Sequence, residues 1–185
     1  KDKYPNIKTS LEEVSNNAQI NAILKDKLDL GFVRLARVPK GLHLHPVFKD
    51  TFSLVLPAEH PLLKKGFKSI KQLSSEPFIL FSQDYSPLYY DTVMSICEDA
   101  GFTPEVSHKS VHAQTIFKLV ESNLGVAIIP TSLQHGFQMK VQFIELLKIP
   151  QRAILSVVWK EDNRNRALQH CIDLLQQTQL VEKRS

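Results

Sequence analysis

No apolar run in these 185 residues approaches the roughly 18 to 20 residues that a membrane-spanning helix needs; the longest runs, such as residues 125–130, are strand-sized stretches. Cysteine is nearly absent. Cys97 and Cys171 lie far apart and both fall on apolar helical stripes, so buried thiols and a reducing cytoplasm are expected, although two cysteines still permit one bridge. Six glycines are few for a phosphate-cradling enzyme, and the chain has no Walker loop, no Gly-x-Gly-x-x-Gly, no Gly-x-Ser-x-Gly and no His-Glu-x-x-His. These absences weaken an enzyme reading without excluding it, and the expectation is a protein without catalytic residues, cofactor or metal. No charge of one sign dominates: 23 basic residues are scattered among 19 acidic ones, and the densest cluster, Lys64, Lys65 and Lys68, reads as a solvated turn. DNA binding does not follow from such a balance. The start, Lys1-Asp2-Lys3-Tyr4-Pro5, lacks the apolar core of a secretory signal.

What the chain does contain is alternation. The spacing predicts a strand over residues 7–14, then a helix capped by Asn16 and carrying Ile20, Ile23 and Leu24, then a buried strand over 28–33, which together make one βαβ unit. Runs at 42–48 and 52–56 predict two strands with a turn at Lys49-Asp50-Thr51, and 69–73 predicts a single helical turn. A second block repeats the pattern. It has strands at 78–81, 105–108 and 126–129, with helices carrying Tyr89, Val93, Ile96, Cys97 and Ala100, and Ala113, Ile116, Phe117, Val120 and Leu124. Strands at 141–146 and 153–159 and a helix from about Asn163 close the chain. Such alternation argues for parallel sheets with helices on both faces.

Candidate chemistry is sparse. His43 and His45 share one face of a strand and can in principle hold a metal, but no third ligand is evident and a packed or surface pair explains them as well. Glu12-Glu13 and Glu98-Asp99 diverge as sequence neighbours and read as solvated. Three strand-to-helix junctions carry small polar residues: Ser15-Asn16, the loop Ser82-Gln83-Asp84-Tyr85-Ser86-Pro87, and Ser110 with His112, Gln114 and Thr115. Each is also a common helix cap. Gathered at the carboxyl ends of strands, they would offer hydroxyls and positive helix ends to a carboxylate, with Phe81, Tyr85 and Ile129 as an apolar wall.

Several segments then resemble, in order, the regulatory domain of LysR-type transcription regulators. They are Tyr4-Pro5; Leu28-Asp29-Leu30-Gly31-Phe32-Val33-Arg34; Gly41-Leu42 with His45-Pro46-Val47; Leu54-Val55-Leu56-Pro57-Ala58-Glu59-His60-Pro61-Leu62, the most specific stretch; and Leu73-Ser74-Ser75-Glu76-Pro77-Phe78-Ile79. Leu119-Val120-Glu121-Ser122-Asn123-Leu124-Gly125-Val126-Ala127-Ile128-Ile129-Pro130 and Val157-Val158-Trp159-Lys160 complete the series. Within the family, Gly31-Phe32-Val33-Arg34 and the aromatic-rich second block look like the branch that senses aromatic-degradation products such as muconates.

The resemblance implies an α/β fold of the type 2 periplasmic-binding-protein kind, two lobes joined by two crossover strands. Lobe I is expected at 1–77 and 156–185 and lobe II at 78–155, with hinge crossings near Phe81 and Ser156 and a small-molecule effector, a carboxylate, between the lobes. Family binding positions map onto Ser15, Asn16, the loop 82–87, Val111 and His112; Ile129 and Pro130 border the cleft, and Arg34 either reaches the carboxylate or serves as a surface ion-pair partner. The family usually has another strand and helix ahead of Tyr4, and a winged helix-turn-helix with a linker helix before that. The chain is thus expected to be a truncated piece that reaches DNA only through those absent parts and dimerises or tetramerises in its longer form. A solute-binding protein for transport and a small-molecule enzyme on the same scaffold are the alternatives.

Overall fold

The computed structural model describes residues 3–136 and 138–177. In chain order these form α1 (Asn16–Leu24), β1 (Gly31–Val33), β2 (Leu42–Asp50), β3 (Phe52–Pro57), α2 (Pro61–Lys65), β4 (Pro77–Phe81), α3 (Pro87–Asp99), β5 (Glu105–Ser110), α4 (Ala113–Glu121), β6 (Ala127–Pro130), β7 (Val141–Glu145), β8 (Ala153–Lys160) and α5 (Arg166–Gln177). The expected helical turn is a 3-10 turn at Ile70–Leu73. Two compact units result, Lys1–Lys49 with Ile154–Ser185, and Asp50–Ala153. The chain crosses between them at the end of β2 and the start of β8. The expected boundary at Pro77 and the crossing near Phe81 are therefore displaced. The reason is β3, which pairs with β6 and β7 and so commits residues 50–77 to the second unit.

In the first unit β8 lies between β1 and β2, and β1 runs antiparallel to it with Gly31 opposite Val158. Ile23 of α1 packs with Val33, Leu42 and Val158. Gly31 permits this approach, because a Cβ there would press on the Gln19 side chain and on Ile23. Ser15, not Asn16, is the cap of α1: its Oγ accepts from the Ala18 amide at 3.3 Å. Lys160 ties the end of β8 to Asp26 at 2.8 Å, and that hydrogen bond raises the ammonium pKa above its usual value. On α5, Leu168 and Ile172 are buried but Cys171 is exposed, contrary to the expectation of a second buried thiol. Residues 7–14 are neither strand nor helix, and Leu11 is 95% exposed. A strand needs a partner for its backbone groups; none of the described strands supplies one, so the expected βαβ unit does not form.

In the second unit β3 pairs antiparallel with both β6 and β7, and β4 pairs parallel with β5. A parallel bridge between Phe78 and Val126, with Ile79 N donating to Val126 O and Val126 N donating to Pro77 O at 2.8 Å each, joins β4 to the start of β6. The order is β5-β4-β6-β3-β7, with β3 alone antiparallel. The sheets are thus mixed and not purely parallel. Likewise Lys49-Asp50-Thr51 is no hairpin, since β2 and β3 belong to different sheets.

Alternation along these strands sorts the core into two faces. Phe52, Leu54, Leu56, Phe78, Leu80, Val126 and Ile128 face α3, whose Tyr89, Val93, Ile96 and Cys97 cover them. Val55, Ile79, Ala127 and Ile129 face α4 through Ile116, Phe117 and Val120. Burial of each large side chain contributes about 1.5–3 kcal/mol. Leu124, expected on the α4 stripe, lies beyond the helix and is 43% exposed.

Gly125 turns the chain from α4 into β6 at φ +150, and a Cβ there would collide with the Pro77 carbonyl oxygen that holds the bridge. Gly125→Ala is expected to lower stability by about 1–3 kcal/mol, read as a lower urea midpoint at unchanged slope. Burial raises the Tyr89 hydroxyl, and burial together with Glu98 raises the Cys97 thiol from 9.0 to about 12. Both groups stay neutral in the folded chain while their unfolded counterparts ionise. The thiol's contribution is complete below pH 9 and is lost as pH climbs toward 12, whereas the tyrosine's is complete up to about pH 10 and is lost only above it. Cys97→Ala should make stability fall less steeply over that interval in urea titrations.

Candidate functional site

Parallel strands end at the same edge, and the second unit places its polar residues there. Phe81 of β4 pairs with Ser110 of β5, and Ser82 N donates to Ser110 O at 2.8 Å. The Ser82 carbonyl then accepts from the Tyr85 and Ser86 amides at 3.1 and 3.0 Å, which folds the loop into a turn and delivers Pro87 to the first position of α3. Beside it, Ser110 Oγ accepts from the His112 amide at 3.1 Å and turns the chain into α4. Neither Ser86 nor His112 closes its helix with a side-chain cap. First-turn amides lack acceptors within a helix, so two positive helix ends stand at one sheet edge.

The edge continues across β6 and β3. Pro130 ends β6 opposite Phe52, and Thr131 follows it; Thr131 N donates to Thr51 O at 3.0 Å. Thr131 Oγ1 lies 2.8 Å from both Thr51 Oγ1 and Ser53 Oγ, and Thr51 Oγ1 also reaches the Glu145 carboxylate. A hydroxyl has one proton and a carboxylate has none to give. The single Thr51 proton therefore faces two acceptors, the Glu145 carboxylate and Thr131 Oγ1, while Ser53 Oγ pairs with Thr131 Oγ1. A chain of three hydroxyls links buried Ser53 to exposed Glu145. Asp50 adds a bond from the Ser132 amide at 3.0 Å.

The residues expected from the sequence divide accordingly. Ser82, Tyr85, Ser86 and Pro87 are half-buried at this edge, Gln83 and Asp84 are exposed at the loop tip, and Val111 and His112 are exposed at the head of α4. Phe81 packs edge-on against Tyr89, with centroids 5.0 Å apart. Tyr89 Oη donates to Ile128 O at 2.6 Å, which braces β6 from below. Ile129 and Pro130 are buried, so they back the edge and do not present an open wall. In the first unit, Ser15 caps α1, and Asn16 Nδ2 donates to the Arg34 carbonyl at 3.0 Å, fixing the segment after β1 to the helix start. His43 lies against Trp159, and among the described residues no group of histidine, cysteine and acidic side chains is arranged for a metal. Likewise no helix among the described residues is long and apolar enough to cross a membrane.

Sequence reasoning missed Thr51, Ser53 and Thr131. One signal was available: Ser53 is the lone hydroxyl in an otherwise apolar strand, Phe52–Pro57, every residue of which is buried.

Strand ends, helix N-termini and hydroxyls on one edge place the chain among α/β ligand-binding domains. Residues 1–179 match the family described as LysR substrate binding domain, and the chain belongs to that family. The HTH-type transcriptional regulator AlsR of Bacillus subtilis (strain 168) is 29% identical over 182 residues, covering 97% of this chain and 60% of its own length. The chain thus spans about three fifths of that relative. Among solved structures, the BenM effector binding domain with its effector benzoate is 20% identical with a TM-score of 0.81, over 95% of this chain and 80% of that one. The effector binding domain of QuiR in complex with shikimate is 18% identical with a TM-score of 0.82, over 96% and 84%. The fold is accordingly α/β of the type 2 periplasmic-binding-protein kind.

Thr131→Val removes the middle of the hydroxyl chain and strands the buried Ser53 Oγ. A stability loss of about 1–3 kcal/mol is expected, while Thr131→Ser, which keeps the hydroxyl, should stay within about 1 kcal/mol of the parent in the same denaturant titration.

Proposed function

We propose that this chain is the effector-sensing part of a transcription regulator and binds a small carboxylate without transforming it. The observation that carries the reading is the edge of the second unit, where two uncapped helix N-termini and the Ser82 and Ser110 turns adjoin the Thr131 hydroxyl chain. Such an edge supplies the first-turn amides of two helices at their positive ends, which suit an anion. In the first unit, Ser15, Asn16 and Arg34 are further proposed effector contacts, with Arg34 as the residue suited to a carboxylate. The relatives support the regulatory role: AlsR is an HTH-type transcriptional regulator, and the BenM and QuiR domains are effector binding domains seen with benzoate and shikimate.

In the longer protein, the effector biases an equilibrium between arrangements of a cytoplasmic homo-oligomer that reaches DNA through a helix-turn-helix region. It does so only by its differential affinity for those arrangements.

Calorimetric titration of benzoate, shikimate and related carboxylates into the chain tests this, with Ser82→Ala and Arg34→Ala alongside. Binding should be saturable, and Arg34→Ala should weaken it about tenfold or more, the order expected for losing a charge-assisted hydrogen bond. Affinity unchanged in both variants would move the site elsewhere. Chromatography of the ligand after incubation should return it unaltered; turnover would remove the regulatory reading.

A further inference from the structure

A cavity of about 470 Å³ lies within the first unit, and its lining contains none of the residues assigned to the effector. Its volume falls in the usual range of small-molecule sites, about 300–1,000 Å³. The inner part is apolar: Leu168 and Ile172 of α5 are 7% and 4% exposed, and the half-buried Trp159 of β8 lies beside them. His43 of β2 sets its ring against that indole, with centroids 5.4 Å apart and planes inclined by 38°.

The mouth is cationic. Lys160 is already engaged by Asp26 at 2.8 Å and Asp162 at 3.5 Å. Arg164 and Arg166 line the cavity from the start of α5, and neither makes a side-chain hydrogen bond or ion pair among the described residues. Among the described residues Glu161 is the one carboxylate in the lining, beside the two guanidinium groups. The helix end itself is not the attraction, because Asn165 Oδ1 already accepts from the Ala167 amide at 3.0 Å.

We propose that this cavity is a second ligand site, separate from the effector edge, which takes a small aromatic anion. The ring packs on Trp159 and His43 above Leu168 and Ile172, and the anionic group meets Arg164 and Arg166. A flat π-face suits the aromatic pair, and a planar carboxylate suits a guanidinium fork.

Trp159 is the only tryptophan of the chain, so its emission reports this cavity directly. The probe is 4-nitrobenzoate, a ring carboxylate that quenches indole emission, titrated with correction for its absorbance. Quenching should saturate. Arg164→Gln combined with Arg166→Gln should raise the dissociation constant roughly fivefold or more, as expected from two exposed charge contacts, while far-UV circular dichroism stays that of the parent. The uncharged 4-nitrobenzamide should bind comparably weakly, and cyclohexanecarboxylate, which has the charge without the ring, should fail to displace the probe. Ser82→Ala should leave the curve in place, which separates this site from the effector edge. Quenching that rises linearly without saturation, an unchanged constant in the arginine variant, or a curve abolished by Ser82→Ala would each overturn the assignment.

Discussion

β3 is paired on both edges and buried on both faces, and the second unit depends on that confinement. With β6 on one side and β7 on the other, its six residues have no exposed position, so each must pack against a helix layer or find a hydrogen bond. Five satisfy this with carbon. Ser53 cannot, and its hydroxyl is spent on Thr131. Because β3 is antiparallel to its neighbours, its beginning lies beside the ends of β6 and β7, so Thr51, Ser53, Thr131 and Glu145 meet at the edge where β4 and β5 also finish.

The helix positions follow from the same alternation. Apolar side chains on both faces of a central strand demand a cover on each, and α3 and α4 supply one apiece. Each helix leaves a strand that ends at the common edge, so their N-termini arrive there together. This is why donors gather without any single motif requiring it. The supports are as specific as the donors: Tyr89 holds the Ile128 carbonyl from the α3 side, and Gly125 lets the chain pass against Pro77 where a larger residue would force β6 away from β4.

Membership of the LysR substrate binding domain family accords with this arrangement. Residues near the edge divide into those that build it and those that face outward. Ile129, Pro130 and Tyr89 are enclosed and contribute shape, whereas Ser82, Ser86, Val111 and His112 keep accessible surface at the ends of α3 and α4. In the first unit the polar groups near α1 have local structural work, Ser15 as a cap and Asn16 as a clasp on the chain after β1.

The sequence by itself determined the elements whose signals are local. Apolar spacing placed α3 and α4, and the ordered segments identified the family and through it the fold. Tertiary structure alone decided which strands are neighbours. The β3 run reads the same whether it pairs with β2, beside it in the chain, or with β6 and β7, about 70 or more residues away, and the pairing moved the unit boundary from Pro77 to Asp50. It also decided that residues 7–14, though strand-like in composition, form no strand, and that Cys171 faces outward although its stripe is apolar. Local propensity is a property of a few adjacent residues, whereas pairing and burial are settled by competition among distant segments for the same hydrogen bonds and the same core.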